Sequence, residues 1–483
     1  MVLSHILKPP YYTDKKVKLG ILIYFLIMAV IAFIADGTGD EGDSIHHYLY
    51  AKTAWQYKQH FFDHWAKPVY VLIAFPFAQF GLDGVKLMNV LLNCGSLWLV
   101  YRIACALNFR WAWAPMVLLA STPMFNHLSL SGLTEPMCAF FITIGIHLLI
   151  QKKWIIAIVV LSFLPFVRSE GLLLLGIIFV YLVILSRYQY IPLLFTGHLA
   201  YSIAGYFHNK DLFWVFNKMT YATWNSAYGS GEWMHYINNL PVMAGVVLTI
   251  LFFIGMLYGL ILLIRYFRKQ TLHTETPELF LVYGTVVFFF VAHTCFWALG
   301  IFNSGGILRV IIPVMPLMAL INYRGAEYLF AFINNERWKS GLVLCFVAIA
   351  FIYPFSGHIH GYRWKRDFCL KADQYAQNEL AAWVKQTYPD YANYRWYYET
   401  IHLSTVLGID WFNQEKRRRL LDSFVKNEFQ PGDFIVWDDW FGVVEAHITL
   451  ESLDKDSRLE KLKTFQKINY WGGTRTTVLF RWK

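Results

Sequence analysis

Charge is scarce in this chain: only 15% of its 483 residues are Asp, Glu, Lys or Arg, while 57% are hydrophobic. An ordinary soluble protein of this length needs no such balance to build its core, so the composition excludes that class and indicates a polytopic membrane protein. Cysteine spacing of the metal-binding kind is also missing. Cys94, Cys105, Cys138, Cys295 and Cys345 lie inside apolar runs with no CxxC, where they read as packing residues. Cys369 stands by itself in polar sequence and has no partner for an internal disulfide, so the cysteines leave the redox compartment unspecified. No basic, aromatic-interleaved face accompanies the net charge of +10, which argues against a nucleic-acid partner. The first apolar run, 17–35, ends without an A-x-A-like cleavage site and reads as an uncleaved signal anchor. The turn-like "YWGGT" at 470–474 lacks the lysine and helix context of a phosphate-binding loop.

What the chain has in abundance is apolar runs. A helix needs about 20 apolar residues to cross the hydrocarbon. By that measure about eleven spans are predicted, near 17–35, 84–106, 111–128, 133–151, 153–167, 171–186, 189–206, 241–264, 279–301, 308–322 and 340–355. The stretch "KPVYVLIAFPFAQF" (67–80) is short and interrupted by Pro68 and Pro76, and reads as interfacial. With that reading the N terminus is cytoplasmic and the basic clusters, Arg102 with Arg110, Lys152 with Lys153, Arg187, "RYFRK" (265–269) and Arg324 through Lys339, all fall inside. The outer face then collects the segment 36–67, "NHLSLSGLTEP" (126–136), "RSEG" (168–171) and "NSGGILR" (303–309). An aromatic, Asn- and Gly-rich outside loop near 207–240 suits either sugar or lipid contact or interfacial anchoring.

Two domains are expected. Residues 1–355 form the membrane part, with an outer loop and interfacial helices at 36–82, and 356–483 form a small extracytoplasmic α/β domain. In the latter, "DQYAQNELAAWVKQTY" (373–388) has helical spacing, whereas "DFIVWDD" (433–439) and "TTVLFRW" (476–482) read as strands. The fold class is therefore mainly α, polytopic, with this α/β appendage.

The polar residues on the outer face are the candidates for chemistry. Asp40, Glu41 and Asp43 precede the amphipathic "SIHHYLYAKTAWQY", which would hold them beside the membrane. Acids there are often merely solvated, but a carboxylate kept ionised within reach of a hydroxyl serves as a general base. His46 and His47 point in different directions on a helix, so at most one shares such a site. Lys67, Arg168 and Arg309 lie at outward ends of apolar segments. They read either as cations snorkelling to headgroups or as three charges converging on a phosphate. Glu135 in "LTEP" and Glu170 in "RSEG" are acids at span ends, where acids cost free energy and are functional candidates, a pairing of Glu170 with Arg168 being the bland alternative.

In their order and common sidedness these motifs resemble the GT-C superfamily of membrane glycosyltransferases, which includes protein O-mannosyltransferases, aminoarabinose transferases and GPI mannosyltransferases. "DSIHHY" (43–48) is similar to the "DEVHFG" pattern, which sets Asp43 at the base position and His46 at the pattern's histidine. "DE" (40–41) also matches a "PDE" pattern, so the register stays open. "KP" at Lys67, "RSEG" and "RVIIPVMP" (309–316) resemble "KPP", "RPEG" and "R-Y-x-x-P-x-x-P", with Ser169 and Val310 in place of the usual Pro and Tyr. The resemblance covers roughly 36–320 and leaves the C-terminal domain without a counterpart.

It implies inverting transfer of a hexosyl or pentosyl group from a polyprenyl-phosphate donor to a lipid, glycan or protein acceptor on the outer face, in a bacterial inner membrane. Asp43, Glu41 or Asp40 would be the base, and His46, Lys67, Glu135, Arg168, Glu170 and Arg309 would bind substrate. It implies no definite cofactor, and an assisting divalent metal ion stays open. The rival class is a transporter or flippase of a lipid-linked or small polar substrate. Against it stand the lack of an inverted internal repeat and of paired broken helices, and charges gathered at one face.

Overall fold

A computed structural model of the chain describes residues 14–219, 224, 226, 228–270 and 275–483. Part of the aromatic loop expected at 207–240 lies outside the described residues. The chain divides into two compact units: Met1–Ile34 with Tyr50–Tyr362, and Ala35–Leu49 with Arg363–Lys483.

The first unit is helical. Asp14–Ile34, Leu82–Ala106, Val246–Phe267, Glu275–Leu299 and Glu336–Phe355 are each long and apolar enough to cross a membrane. Pro68–Ala78, Glu135–Ile150, Trp154–Phe166 and Gly171–Ile184 are shorter apolar helices. Where one span was expected over 111–128 there are two helices, Ala114–Ala120 and Pro123–Ser129. Pro123 causes the break, since it brings no amide hydrogen to continue a helix and fits best in a first turn. Pro68 opens the helix Pro68–Ala78 for the same reason.

Val246–Phe267 packs along Met315–Leu329. Gly255 and Gly325 allow it, because a Cβ at either would collide with backbone of the facing helix, at Ile321 and Leu251 respectively. Leu82–Ala106 packs against both Asp14–Ile34 and Glu135–Ile150, and its buried asparagines organise the loop that leads into the latter. Asn89 Nδ2 donates to the carbonyls of Ser131 (2.7 Å) and Leu133 (3.0 Å), Asn93 Nδ2 to that of Phe125 (3.0 Å), and the Tyr70 hydroxyl to that of Gly132 (2.5 Å).

The second unit is built on a five-stranded mixed sheet. Its strands are β1 (Trp396–Tyr397), β2 (Arg417–Arg418), β3 (Phe434–Asp438), β4 (Leu459–Ile468) and β5 (Thr474–Trp482), in the order β2-β1-β3-β5-β4. β1 runs parallel to β2 and β3, while β5 is antiparallel to β3 and β4. The expected helix is present as Ala372–Thr387, and β3 and β5 are the two expected strands. Side chains alternate across the sheet. Trp396, Tyr398, Phe434 and Val436 join the core under that helix, and Tyr397, Ile435 and Trp437 join the core on the opposite face. A strand covered on both sides reads as a continuous apolar run, which is why "FIVW" stood out in the sequence. Residues 35–49 cluster with this unit. The Gly37 amide donates to the Phe368 carbonyl at 3.0 Å, and a Cβ on Gly37 would strike the Cys369 backbone.

Candidate functional site

In the first unit the sequence-marked residues converge on Glu135. This glutamate starts the helix Glu135–Ile150, where the helix dipole favours a carboxylate, and it is fully buried. The loop before it is the one pinned by Asn89, Asn93 and Tyr70. Two cations reach it: Arg168 Nη1 lies 2.8 Å and Arg309 Nε 3.1 Å from Glu135 Oε1. Arg168 also pairs with Glu170 at 2.8 Å and donates to the Thr134 hydroxyl at 2.9 Å. "RSEG" makes this possible because Gly171 abuts the Leu164–Pro165 backbone, where no side chain fits, so the chain turns sharply between two apolar helices.

Lys67 completes the group. Its Nζ donates to the Ser169 hydroxyl at 2.9 Å. Burial pulls its pKa down to about 8, with the Glu170 charge opposing. Its backbone is strained, at φ 68° and ψ 102°, a region that non-glycine residues rarely occupy. Strain of this kind persists where the surroundings impose it, commonly at functional sites. Lys67, Glu135, Arg168, Glu170 and Arg309 are thus brought into one polar network. A residue the motifs did not mark joins it: His293, on the helix Thr285–Leu299, has a buried Nε2 without a hydrogen-bond partner and interacts electrostatically with Glu170 and Arg168. Its only sequence signal is a histidine inside an apolar run.

Asp40, Glu41, Asp43 and His46 belong to the second unit, and their environments differ. The Asp40 carboxylate accepts from the amides of Gly42 (3.1 Å) and Ser44 (2.9 Å) and from the Ser44 hydroxyl, closing the turn before the helix Asp43–Thr53. That is a capping role. Glu41 faces Asp373, whose carboxyl is pushed up to about 6 by burial and then by the Glu41 charge. Asp43 sits on the first turn of the helix, with His46 one turn on. Burial holds the His46 ring near a pKa of about 4 despite the Asp43 charge, so it is neutral at pH 7.

Two residues beyond the marked motifs shape the surroundings of His46. Its ring meets Trp411 edge-on, 5.1 Å between centroids, and the Arg417 guanidinium stacks on Trp411 at 3.3 Å. Arg417 is buried, donates to the Tyr398 carbonyl at 2.6 Å, and is pulled down to a pKa of about 10 by burial. Nothing in the sequence separates Arg417 from its neighbours in "RRR". Among the described residues no group of three or more His, Cys, Asp or Glu is arranged to hold a metal ion.

This geometry can be set beside known proteins. No protein-family model matches the chain, and no curated protein matches it in sequence. Solved structures do. ArnT from Cupriavidus metallidurans bound to undecaprenyl phosphate aligns over 96% of this chain and 98% of its own, with a TM-score of 0.57 and 11% identity. The same protein in its apo state aligns over the same shares, with a TM-score of 0.57 and 10% identity. The chain has an ArnT-like fold. The mainly helical architecture with membrane-length apolar helices and a small C-terminal sheet, expected from the sequence, is therefore present. The likeness to ArnT extends through the C-terminal residues, for which the motifs offered no counterpart.

Proposed function

We propose that this protein is an integral-membrane glycosyltransferase that uses a polyprenyl-phosphate-linked sugar donor. The observation that carries the reading is the fold shared with ArnT, whose crystal structure holds undecaprenyl phosphate. It is supported by the polar network of Lys67, Arg168 and Arg309 at the ends of apolar helices, in the same unit as an apolar groove of about 660 Å³.

In this reading a prenyl chain lies in the groove and its phosphate meets Lys67 and Arg309. Arg168 is already shared between Glu135 and Glu170 and chiefly positions them. A carboxylate of the acidic loop, Asp43 by preference because Asp40 is engaged in capping, takes the proton of an acceptor hydroxyl. The acceptor oxygen attacks the anomeric carbon, the bond from that carbon to the phosphate oxygen breaks, and polyprenyl phosphate leaves as a monoester. The second negative charge that it develops is stabilised by the cations. One displacement inverts the anomeric centre without a covalent enzyme intermediate. Neutral His46 is suited to hydrogen-bonding the acceptor. We place residues 36–66 and 356–483 on the outer side, with the N terminus in the cytoplasm of a bacterial inner membrane.

The test is sugar-agnostic. Purified protein in nanodiscs is offered a panel of hexosyl and pentosyl polyprenyl phosphates together with envelope lipid, glycan and protein acceptors, and free polyprenyl phosphate is quantified by mass spectrometry. Acceptor-dependent release supports the reading. Intact donors with every acceptor, alongside directional movement of a donor across the bilayer, would replace it with lipid transport.

A further inference from the structure

The polar network of the first unit has a neighbour that no motif marks. His64 lies in the turn between the 3₁₀ segment Lys58–Phe62 and the helix Pro68–Ala78. Its ring packs on the Trp214 indole, 4.9 Å between centroids, and hydrogen-bonds to the Trp214 backbone. Nε2 is buried and has no hydrogen-bond partner. An unsatisfied buried nitrogen costs stability, which is tolerated where a ligand supplies the missing partner.

The surroundings indicate the kind of ligand. Lys67 acts on His64 electrostatically, and Lys67 in turn feels Arg168 and Glu170, so the ring borders the cationic network. Trp214 also meets Phe62 edge-on, 6.0 Å between centroids. Phe61 and Phe62 line the apolar groove with Trp55, Leu72, Phe163 and Tyr201. His64 and the groove thus share aromatic neighbours, and the same ring feels the Lys67 charge. An amphiphile with a long apolar chain and an anionic head satisfies both.

We propose that His64 Nε2 contacts the phosphate of the polyprenyl-phosphate donor, and that the ring takes up one proton from solvent as that anion enters. This rests on the donor reading given above. Before binding, burial keeps the ring neutral near a pKa of about 4, Lys67 and His198 acting in the same direction, and the Trp214 backbone and Asp63 opposing. A phosphate adds negative charge beside the ring and favours imidazolium, whose Nε2–H then donates to a phosphate oxygen.

The experiment measures binding of undecaprenyl phosphate to the full-length protein in nanodiscs by calorimetry, at pH 6.5 and 8.5 and in buffers of different ionisation enthalpy, which counts protons taken up. His64→Gln keeps a hydrogen-bonding side chain, and His64→Phe keeps the ring against Trp214; neither titrates. Wild type is expected to take up close to one more proton per lipid than either variant and to bind about tenfold or more tightly at pH 6.5, the advantage shrinking at pH 8.5. The lipid phosphate's own ionisation is common to all three and cancels. Equal proton uptake and equal affinity in wild type and variants overturn the role of His64 and leave the donor reading standing. No binding of the lipid to wild type overturns both.

Discussion

Lys67 and Ser169 are 102 residues apart in sequence and meet through a 2.9 Å hydrogen bond. Ser169 stands where the resembled "RPEG" motif carries proline, so a departure from that pattern supplies a partner for Lys67. Ser169→Ala should loosen Lys67 without abolishing its charge. A lost hydrogen bond of this kind is worth about 1 kcal/mol, or roughly fivefold in the KM for the donor, with kcat little changed. Steady-state kinetics with varied donor check it, and an unaltered KM would mean that the hydroxyl is incidental.

The acidic loop separates by substitution. Asp43→Asn keeps the side chain's size but not its proton affinity, so turnover should fall about 10²–10⁴-fold with donor binding retained. Asp40→Ala should instead cost about 0.5–2 kcal/mol of stability through the lost cap. A large, binding-neutral loss at Glu41 would transfer the base role to that residue. Near wild-type turnover in all three would leave the loop merely solvated.

Arg309 is expected to act on the donor rather than on the fold, since it is only one of two cations on Glu135. Arg309→Ala should weaken donor binding, and lysine should rescue it in part, because an ammonium lacks the planar fork. Glu135→Ala is different in kind. It leaves Arg168 and Arg309 without their shared carboxylate, and breaking a buried pair costs about 3–5 kcal/mol. Thermal melts should register the second change strongly and the first weakly.

The sidedness proposed here is open to labelling. Single cysteines at positions 41 and 470, in a variant lacking the natural six, should both react with an impermeant thiol reagent added from outside to intact cells. Reaction of only one of them would break the assignment of 36–66 and 356–483 to the same side.

The second unit should lose stability as pH rises. Burial pushes Asp438 up to about 7 and Asp373 up to about 6. An unfolded aspartate titrates near 4, so the folded state holds these protons more tightly. Their stabilising contribution is complete below about pH 4 and is lost as pH climbs through about 6–7. Asp438 caps the turn after β3 by accepting from the amides of Trp440 (3.0 Å) and Phe441 (2.6 Å), a role that an amide oxygen can also fill. Asp438→Asn should therefore melt higher than wild type at pH 8.5 and show little advantage at pH 5. The same gap at both values would locate the effect elsewhere.

Sequence alone was enough for the class of the molecule, because apolar length is a local quantity that the hydrocarbon thickness reads directly. It was also enough for Ala372–Thr387, β3 and β5, whose patterns of 3.6 and of continuous burial are written in consecutive residues. The motifs "KP", "RSEG" and "LTEP" were legible for the same reason. What only the tertiary structure decided is which carboxylate each cation takes. Arg168 and Arg309 share Glu135 because buried asparagines on another helix hold the loop ahead of it, a relation between residues dozens of positions apart. Asp40 was separated from Asp43 by backbone amides, to which residue identity gives no access. His64, His293, Trp411 and Arg417 were invisible for a common reason: an unpartnered nitrogen or a stacked guanidinium depends on what surrounds it in space, and a one-dimensional pattern does not record that.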